Sequence, residues 1–259
     1  MGKVYLVGAG PGDPELLTLR AARLLQQADI ILHDALVSAE ILALIGSAKV
    51  IDIGKRCGTK LLTQEEINSL LVAYASQYAI VVRLKSGDPS IFGRAGEEIE
   101  ALVQAGISFE VVPGVTSAIA AAAAAGISLT DRRFAASVVF ATAHRGNGAG
   151  AMAWDKLVTS HSTLAIYMPG SDYKLLASQL CNAGLDAQTA CAVISHAGRP
   201  SQQVRCCDLS SLGSHESLPA PSLLIVGECA KPLHASQHSI QCSLAANDSE
   251  VWNGVEPAQ

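Results

Sequence analysis

Over the first 113 residues, short runs apolar on both faces alternate with stretches whose apolar residues recur every three or four positions. The runs predict strands at Val4–Val7, Ile30–Leu32, Val50–Ile53, Ile80–Leu84 and Phe109–Val112. The stretches predict helices over 15–27, 39–45, 65–76 and 96–105, the third opened by a capping box of Thr63 and Glu66. Strands apolar on both faces and joined by helices imply a mostly parallel sheet covered on each side. Pro113-Gly114 punctuates the chain, and a second series follows: a helix over 116–125, strands over 138–142 and 164–168, a helix over 172–183, and strands over 190–194, 204–208 and 223–226. Its closer strands predict a mixed sheet. The fold class is therefore α/β, with residues 1–113 as an N-terminal domain and 114–230 as a C-terminal domain. Residues 231–259 carry no periodicity and are expected to form a loose tail.

Composition narrows the class. A chain of 259 residues, 49% of them hydrophobic, can bury a substantial core and is not disordered over most of its length. No apolar run has the length of a bilayer span, and Met1-Gly2-Lys3 enters a strand without room for a signal peptide, so a cytoplasmic protein is expected. The seven cysteines are odd in number and form no Cys-x-x-Cys pair, which argues against a disulfide framework and a zinc site. No metal is expected, and Cys191, Cys206 and Cys229 read as core thiols. The net charge of -5 gives no electrostatic case for nucleic-acid binding but leaves room for a locally basic cleft.

The chemistry is concentrated where strands end. Residues 8–14 read Gly-Ala-Gly-Pro-Gly-Asp-Pro directly after the first strand, and glycines there allow a ligand close to the backbone. This is not the dinucleotide fingerprint: Asp13 stands where its third glycine belongs, and Pro11 has no N–H to offer a phosphate. Asp13 suits an N-cap with Pro14 at the first helical position, so the loop fits a neutral or cationic nucleoside better than a pyrophosphate. After the later strands come His33-Asp34, Gly54-Lys55-Arg56, the run Lys85 to Arg94, and Pro113 to Ser117. In an open α/β sheet these loops share the ligand-binding edge. Plainer roles exist for each. Asp34 could cap the next helix, Lys55 and Arg56 could be solvated, residues 87–89 could be a turn, and Arg94 with Glu97 a surface ion pair. His33 suits a half-buried imidazole. His144 and His196 are isolated in sequence, and no Gly-x-Ser-x-Gly nucleophile motif occurs.

Taken together, these stretches resemble the tetrapyrrole methylases, and among them the uroporphyrinogen-III C-methyltransferases. The resemblance is carried by Val7–Pro14, Ala28–Val37, Gln64–Asn68, Val82–Pro89, Phe92–Glu98, Phe109–Ala118, Gly126–Arg132 and the pair Tyr167-Met168, and it spans residues 3 to about 230. It implies a two-domain homodimer that holds S-adenosylmethionine between its domains. Methyl groups would pass to carbons 2 and 7 of uroporphyrinogen III, giving precorrin-1 and then precorrin-2 for sirohaem or cobalamin. With no dehydrogenase or ferrochelatase segment ahead of residue 3, methylation alone is expected. The resemblance assigns cofactor contacts to Pro11, Ser86, Gly87, Asp88, Ile91, Thr116, Ser117, Met168 and Ala197. It makes Asp34 the proton acceptor and Lys55 the donor, and gives Arg94, Glu97 and Arg132 to the substrate.

The chemistry asks for the same residue types. Methyl transfer from a sulfonium needs alignment and exclusion of water, and one carboxylate, Asp34 or Glu97, to take the proton the macrocycle loses. Eight substrate carboxylates need focused positive charge, which Lys55, Arg56, Lys85, Arg94, Arg132, Arg133 and Arg145 could supply. The chain departs from the family at Ser86 (usually glycine), Ser90 (large and apolar), His33 (tyrosine), Asp131 (histidine) and Pro169 (glycine). A positive φ at Ser86 would crowd the cofactor, and Asp131 places an acid near a polyanion. Other readings remain open here: a relative acting on another precorrin, a nicotinamide oxidoreductase, or a cofactor-binding protein without turnover.

Overall fold

The computed structural model of the chain describes residues 1–54, 62–144 and 152–231. Lys55, Arg56, Arg145 and the expected tail beyond residue 231 lie outside the described residues. Strands β1 (Lys3–Gly8), β2 (Ile30–His33), β3 (Lys49–Asp52), β4 (Ile80–Lys85) and β5 (Phe109–Val112) form one parallel sheet in the order β3-β2-β4-β1-β5. Their side chains alternate between two apolar layers, as a strand period of two requires. Val4, Leu6, Ile30, Leu32 and Val81 face helices α3 (Gln64–Ala75) and α4 (Ala95–Gln104). Val7, Ile31, Val82 and Leu84 face α1 (Leu19–Gln27) and α2 (Ala39–Leu42).

The second sheet is mixed, as its spacing predicts. Strands β6 (Ser137–Thr142), β7 (Ser162–Tyr167), β8 (Ala190–Ser195), β9 (Gln203–Asp208) and β10 (Ser222–Val226) run in the order β6-β7-β10-β8-β9. Only β6 and β7 pair in parallel. The alanine-rich α5 (Ser117–Ala124) packs on one face against Ala165, Ala192, Ile194, Leu223 and Ile225, and its small side chains permit a close approach. The other face carries α6 (Tyr173–Asn182) and α7 (Leu209–Leu212), with Leu164, Ile166, Val193 and Leu224 beneath them.

Three expectations need correction. The helix over 15–27 is two pieces. Asp13 caps a single 3-10 turn, Pro14–Leu16, Leu17 is extended, and α1 starts afresh with Thr18 accepting from the Ala21 N–H at 3.2 Å. The helix over 39–45 closes at Leu42, and its cap is Ser38, not Asp34. Cys206 is exposed because β9 is an edge strand, whereas Cys191 and Cys229 are buried.

The carboxyl ends of β1, β4 and β5 meet backbone to backbone. Gly10 and Gly87 exchange two hydrogen bonds, 3.2 and 2.8 Å, with φ of 69° and 70°. Gly114 lies so close that an added Cβ would strike the Gly87 carbonyl oxygen and come within 2.9 Å of Gly8 Cα. Gly114→Ala is therefore expected to destabilise the fold by about 1–3 kcal/mol, as overpacking does, read by urea unfolding. An unchanged midpoint would show that this contact yields.

Candidate active site

The loops at this edge form one wall of a cleft whose other wall is the second sheet. The cavity between them is about 170 Å³. The first sheet contributes Pro11, Leu36, Ser86, Gly87, Asp88, Ile91 and Phe92, and the start of α5 adds Thr116 and Ser117. The second sheet contributes Tyr167 and Met168 after β7, Ile194 to Arg199 around the end of β8, and Pro221 to Leu223 at the start of β10. All nine residues expected to touch a cofactor line this single cleft.

Local bonds hold these loops in place. Asp88 Oδ2 accepts from the Gly114 N–H at 3.0 Å, which ties the loop after β4 to the loop after β5. Its Oδ1 accepts from the Ser90 N–H at 2.8 Å and from the Ser90 hydroxyl, so Ser90 braces the turn instead of filling an apolar position. Ser86 does not have a positive φ; the left-handed residue is Gly87, and the expected crowding does not arise. Ser38 Oγ donates to the Gly12 carbonyl at 2.7 Å and fixes the glycine loop from α2. At the start of α5, Tyr167 Oη and Thr116 Oγ1 lie 2.5 Å apart, and Tyr167 Oη also accepts from the Ala118 N–H at 3.2 Å. Burial pushes the Tyr167 phenol above its ordinary pKa, so it stays a neutral hydroxyl.

Arg199 closes the cleft from the far side. Its Nε donates to the Pro11 carbonyl at 3.2 Å and its NH2 group to the Leu36 carbonyl at 2.5 Å. Three non-glycine lining residues have left-handed backbones: Phe92 (φ 51°), Met168 (φ 50°) and His196 (φ 50°). Such strain survives where the surroundings over-determine the backbone, and it gathers at ligand sites. Ser195 has one hydroxyl proton, which goes to the Pro219 carbonyl at 2.5 Å. His196 Nδ1, 2.8 Å from the Ser195 hydroxyl oxygen, must then be the donor of that contact.

The residues expected to handle substrate are not cleft-lining. Asp34, at the end of β2, binds Arg83 at 2.5 Å through Oδ1, and its side chain is 34% exposed. Arg94 and Glu97 form a bidentate pair with both distances 2.7 Å on the surface at the start of α4. That contact holds the Glu97 carboxyl below the usual range. Arg132 is exposed. Its neighbour Asp131 is bound by Arg133 through the backbone N–H and both arms of the guanidinium, which hold its carboxyl down at about 2. The acid that seemed misplaced beside a polyanion site therefore carries its own counter-charge. His33 is buried, with Nδ1 3.0 Å from the Asp34 carbonyl. Among the described residues no group of three His, Cys, Asp or Glu could hold a metal ion. Sequence reasoning missed Phe92, His196 and Arg199 as lining residues, because left-handed backbones and cross-cleft bonds leave no local pattern.

The comparisons agree with this geometry. The model of the tetrapyrrole (corrin/porphyrin) methylases matches residues 3–213. A siroheme synthase of Sodalis glossinidius is 47% identical over 247 residues, covering 95% of this chain and 52% of its own. One from Pectobacterium atrosepticum is 50% identical over 230 residues, covering 88% of this chain and 48% of its own. The chain thus spans about half the length of these curated relatives. Among solved structures, the uroporphyrin-III C-methyltransferase of Thermus thermophilus, complexed with S-adenosylhomocysteine, superposes with a TM-score of 0.78. It is 38% identical, and the match covers 88% of this chain and 98% of that one. A cobalt precorrin-4 methyltransferase follows at a TM-score of 0.76 and 29% identity, covering 89% and 96%. Two five-stranded α/β layers, a glycine-edged cleft between them and the family match over residues 3–213 lead to one conclusion: the chain belongs to the tetrapyrrole methylases.

Proposed function

We propose that the chain transfers methyl groups from S-adenosylmethionine to carbons 2 and 7 of uroporphyrinogen III, giving precorrin-2 by way of precorrin-1. The observation that carries this reading is the convergence of all nine expected cofactor residues on one cleft. The relatives that act on uroporphyrin III or make siroheme support the substrate. In the same reading, residues 1–113 and 114–230 act as two domains, and the protein works as a cytoplasmic homodimer. Among the described residues no helix is long and apolar enough to cross a membrane.

The cleft suits this cofactor. S-adenosylmethionine supplies an activated methyl on a sulfonium, and a cation needs a site without free positive charge. The one arginine among the lining residues, Arg199, has its guanidinium committed to two carbonyls, while Asp88 brings a carboxylate. Pro11, Leu36, Ile91, Phe92, Met168 and Leu223 give an apolar lining that excludes water from the transferring methyl. The N-terminus of α5 at Thr116 and Ser117 offers backbone N–H groups to the carboxylate of the methionine part.

The substrate's place is the sheet edge beside the cleft. Arg94 can take a substrate carboxylate at small cost, because its exposed pair with Glu97 is worth at most about 1 kcal/mol. Asp34 takes the proton that leaves the macrocycle after the pyrrole carbon has attacked. Its Oδ2 receives no hydrogen bond among the described residues and is free to do so. Lys55 would return a proton in this scheme.

Anaerobic incubation with uroporphyrinogen III and S-adenosylmethionine should add two methyl groups by mass, whereas methylation of a later precorrin alone would move the reading to another member of the family. Asp34→Asn should lower turnover about 10²- to 10⁴-fold, the usual contribution of a general base, with cofactor affinity retained. Arg199→Ala should weaken S-adenosylhomocysteine binding about tenfold by calorimetry, since it releases the glycine loop from the second sheet. Unchanged affinity would leave Arg199 a surface tie.

A further inference from the structure

The proposed mechanism leaves a charged cluster inside the first domain unused. Arg83 and Lys85 stand two apart on β4 and so point to the same face of the sheet. Each is only 2% exposed, and Glu98 faces them from α4, fully buried. Glu98 Oε1 alone takes three contacts: Arg83 Nε at 3.0 Å, Lys85 Nζ at 2.8 Å and Gln64 Nε2 at 3.4 Å. Glu98 Oε2 has no partner among the described residues.

Such a cluster is a poor way to stabilise a fold. Removing each ion from water costs several kcal/mol, and apolar residues of similar volume would often serve as well or better. Burial and the charge of Arg83 push the Lys85 ammonium below its ordinary pKa, so the site works against its own charges. The orphaned Oε2 adds a further cost, about 1–3 kcal/mol for an unmet buried acceptor. A cluster built for stability would satisfy both oxygens of its central carboxylate.

The geometry accounts for the expense. Glu98 grips the Nε side of Arg83, and NH1 donates to the Leu84 carbonyl at 3.2 Å. With two sides fixed, the remaining arm, NH2, reaches Asp34 Oδ1 at 2.5 Å. Lys85 and Arg83 offset Glu98 and Asp34, so the four charges sum to zero. Asp34 is the one member that reaches the surface, at the edge where β2 and β4 end beside Ser86.

We propose that Arg83, locked by Glu98, is a positioning residue for the reaction: it clamps one oxygen of the Asp34 carboxylate and presents the other to the tetrapyrrole. This rests on Asp34 being the proton acceptor. The clamp fixes where the proton is taken without touching the cofactor, so its loss should appear in the rate and not in cofactor affinity.

A double-mutant cycle tests this. Turnover of uroporphyrinogen III, its KM and the dissociation constant of S-adenosylhomocysteine are measured for Arg83→Met and Arg83→Lys, alone and combined with Asp34→Asn. Arg83→Met should lower kcat about 10²-fold, the scale of a misplaced catalytic group, with cofactor affinity within about twofold of the parent. Arg83→Lys, which keeps the charge but loses the fork, should recover part of the rate. Combined with Asp34→Asn, either change should cost less than about threefold more, because the group it positions is already gone. Equal factors with and without Asp34, or a parallel loss of cofactor affinity, would overturn the positioning role. A near-parental rate for Asp34→Asn alone would instead overturn the reading of Asp34, and the clamp with it. Should Arg83→Met fail to fold by thermal unfolding, Arg83→Lys and Glu98→Gln carry the same cycle, with the same non-additivity expected and its absence contradictory.

Discussion

Three glycine backbones in mutual contact make the rest of this molecule possible. Gly8 at the end of β1, Gly87 after β4 and Gly114 after β5 approach so closely that a methyl group on either Gly8 or Gly114 would collide with main-chain atoms of the other two. The two hydrogen bonds between Gly10 and Gly87 turn that approach into a fixed arrangement. Without it the three loops would splay, and the first wall of the cleft would lose its shape. The constraint sits where β1 and β4 are neighbours while the chain leaves them toward opposite edges of the sheet, the place at which open α/β sheets bind ligands.

From that edge the site is assembled by bonds that anchor α5 on the second sheet and that cross between the two sheets. Tyr167 reaches from β7 to Thr116 and Ala118, and Arg199 reaches from the loop after β8 to Pro11 and Leu36. Both join elements far apart in the chain, and the strained backbones of Phe92, Met168 and His196 lie along the same seam. The result separates two environments. The cleft is mainly apolar, with the guanidinium of Arg199 turned to two carbonyls and a carboxylate at Asp88, suited to a sulfonium. The adjoining edge carries Asp34, Arg94 and Glu97, which are partly or largely open to solvent and suited to a polycarboxylate.

Much of this was legible in the chain because local rules and the fold agree. The apolar runs marked all ten strands of the described residues, the central ones most plainly because strands buried on both faces are hard to disguise, and Thr63 with Glu66 marked the start of α3 as both halves of a capping box. The cofactor cleft was legible as ordered loops at strand ends. What escaped has physical causes. Thr18 competes for the N-cap in a stretch with helical periodicity, and its hydroxyl breaks the predicted helix. Cys206 lies in an apolar run whose strand proves to be an edge. The acid at Asp131 looked adverse until Arg133, two residues on, was seen to bind it. The buried cluster of Arg83, Lys85 and Glu98 could not be read at all, because sequence suggests solvated charges and only the sheet register brings them together.

The central claim is that both halves of the chain close on one cofactor. Hydrogen–deuterium exchange with and without S-adenosylhomocysteine tests it most directly. The account predicts new protection in segments of both sheets together: residues 9–12, 86–92, 114–118, 167–168 and 194–199. Protection confined to one half, or none despite binding, would contradict it.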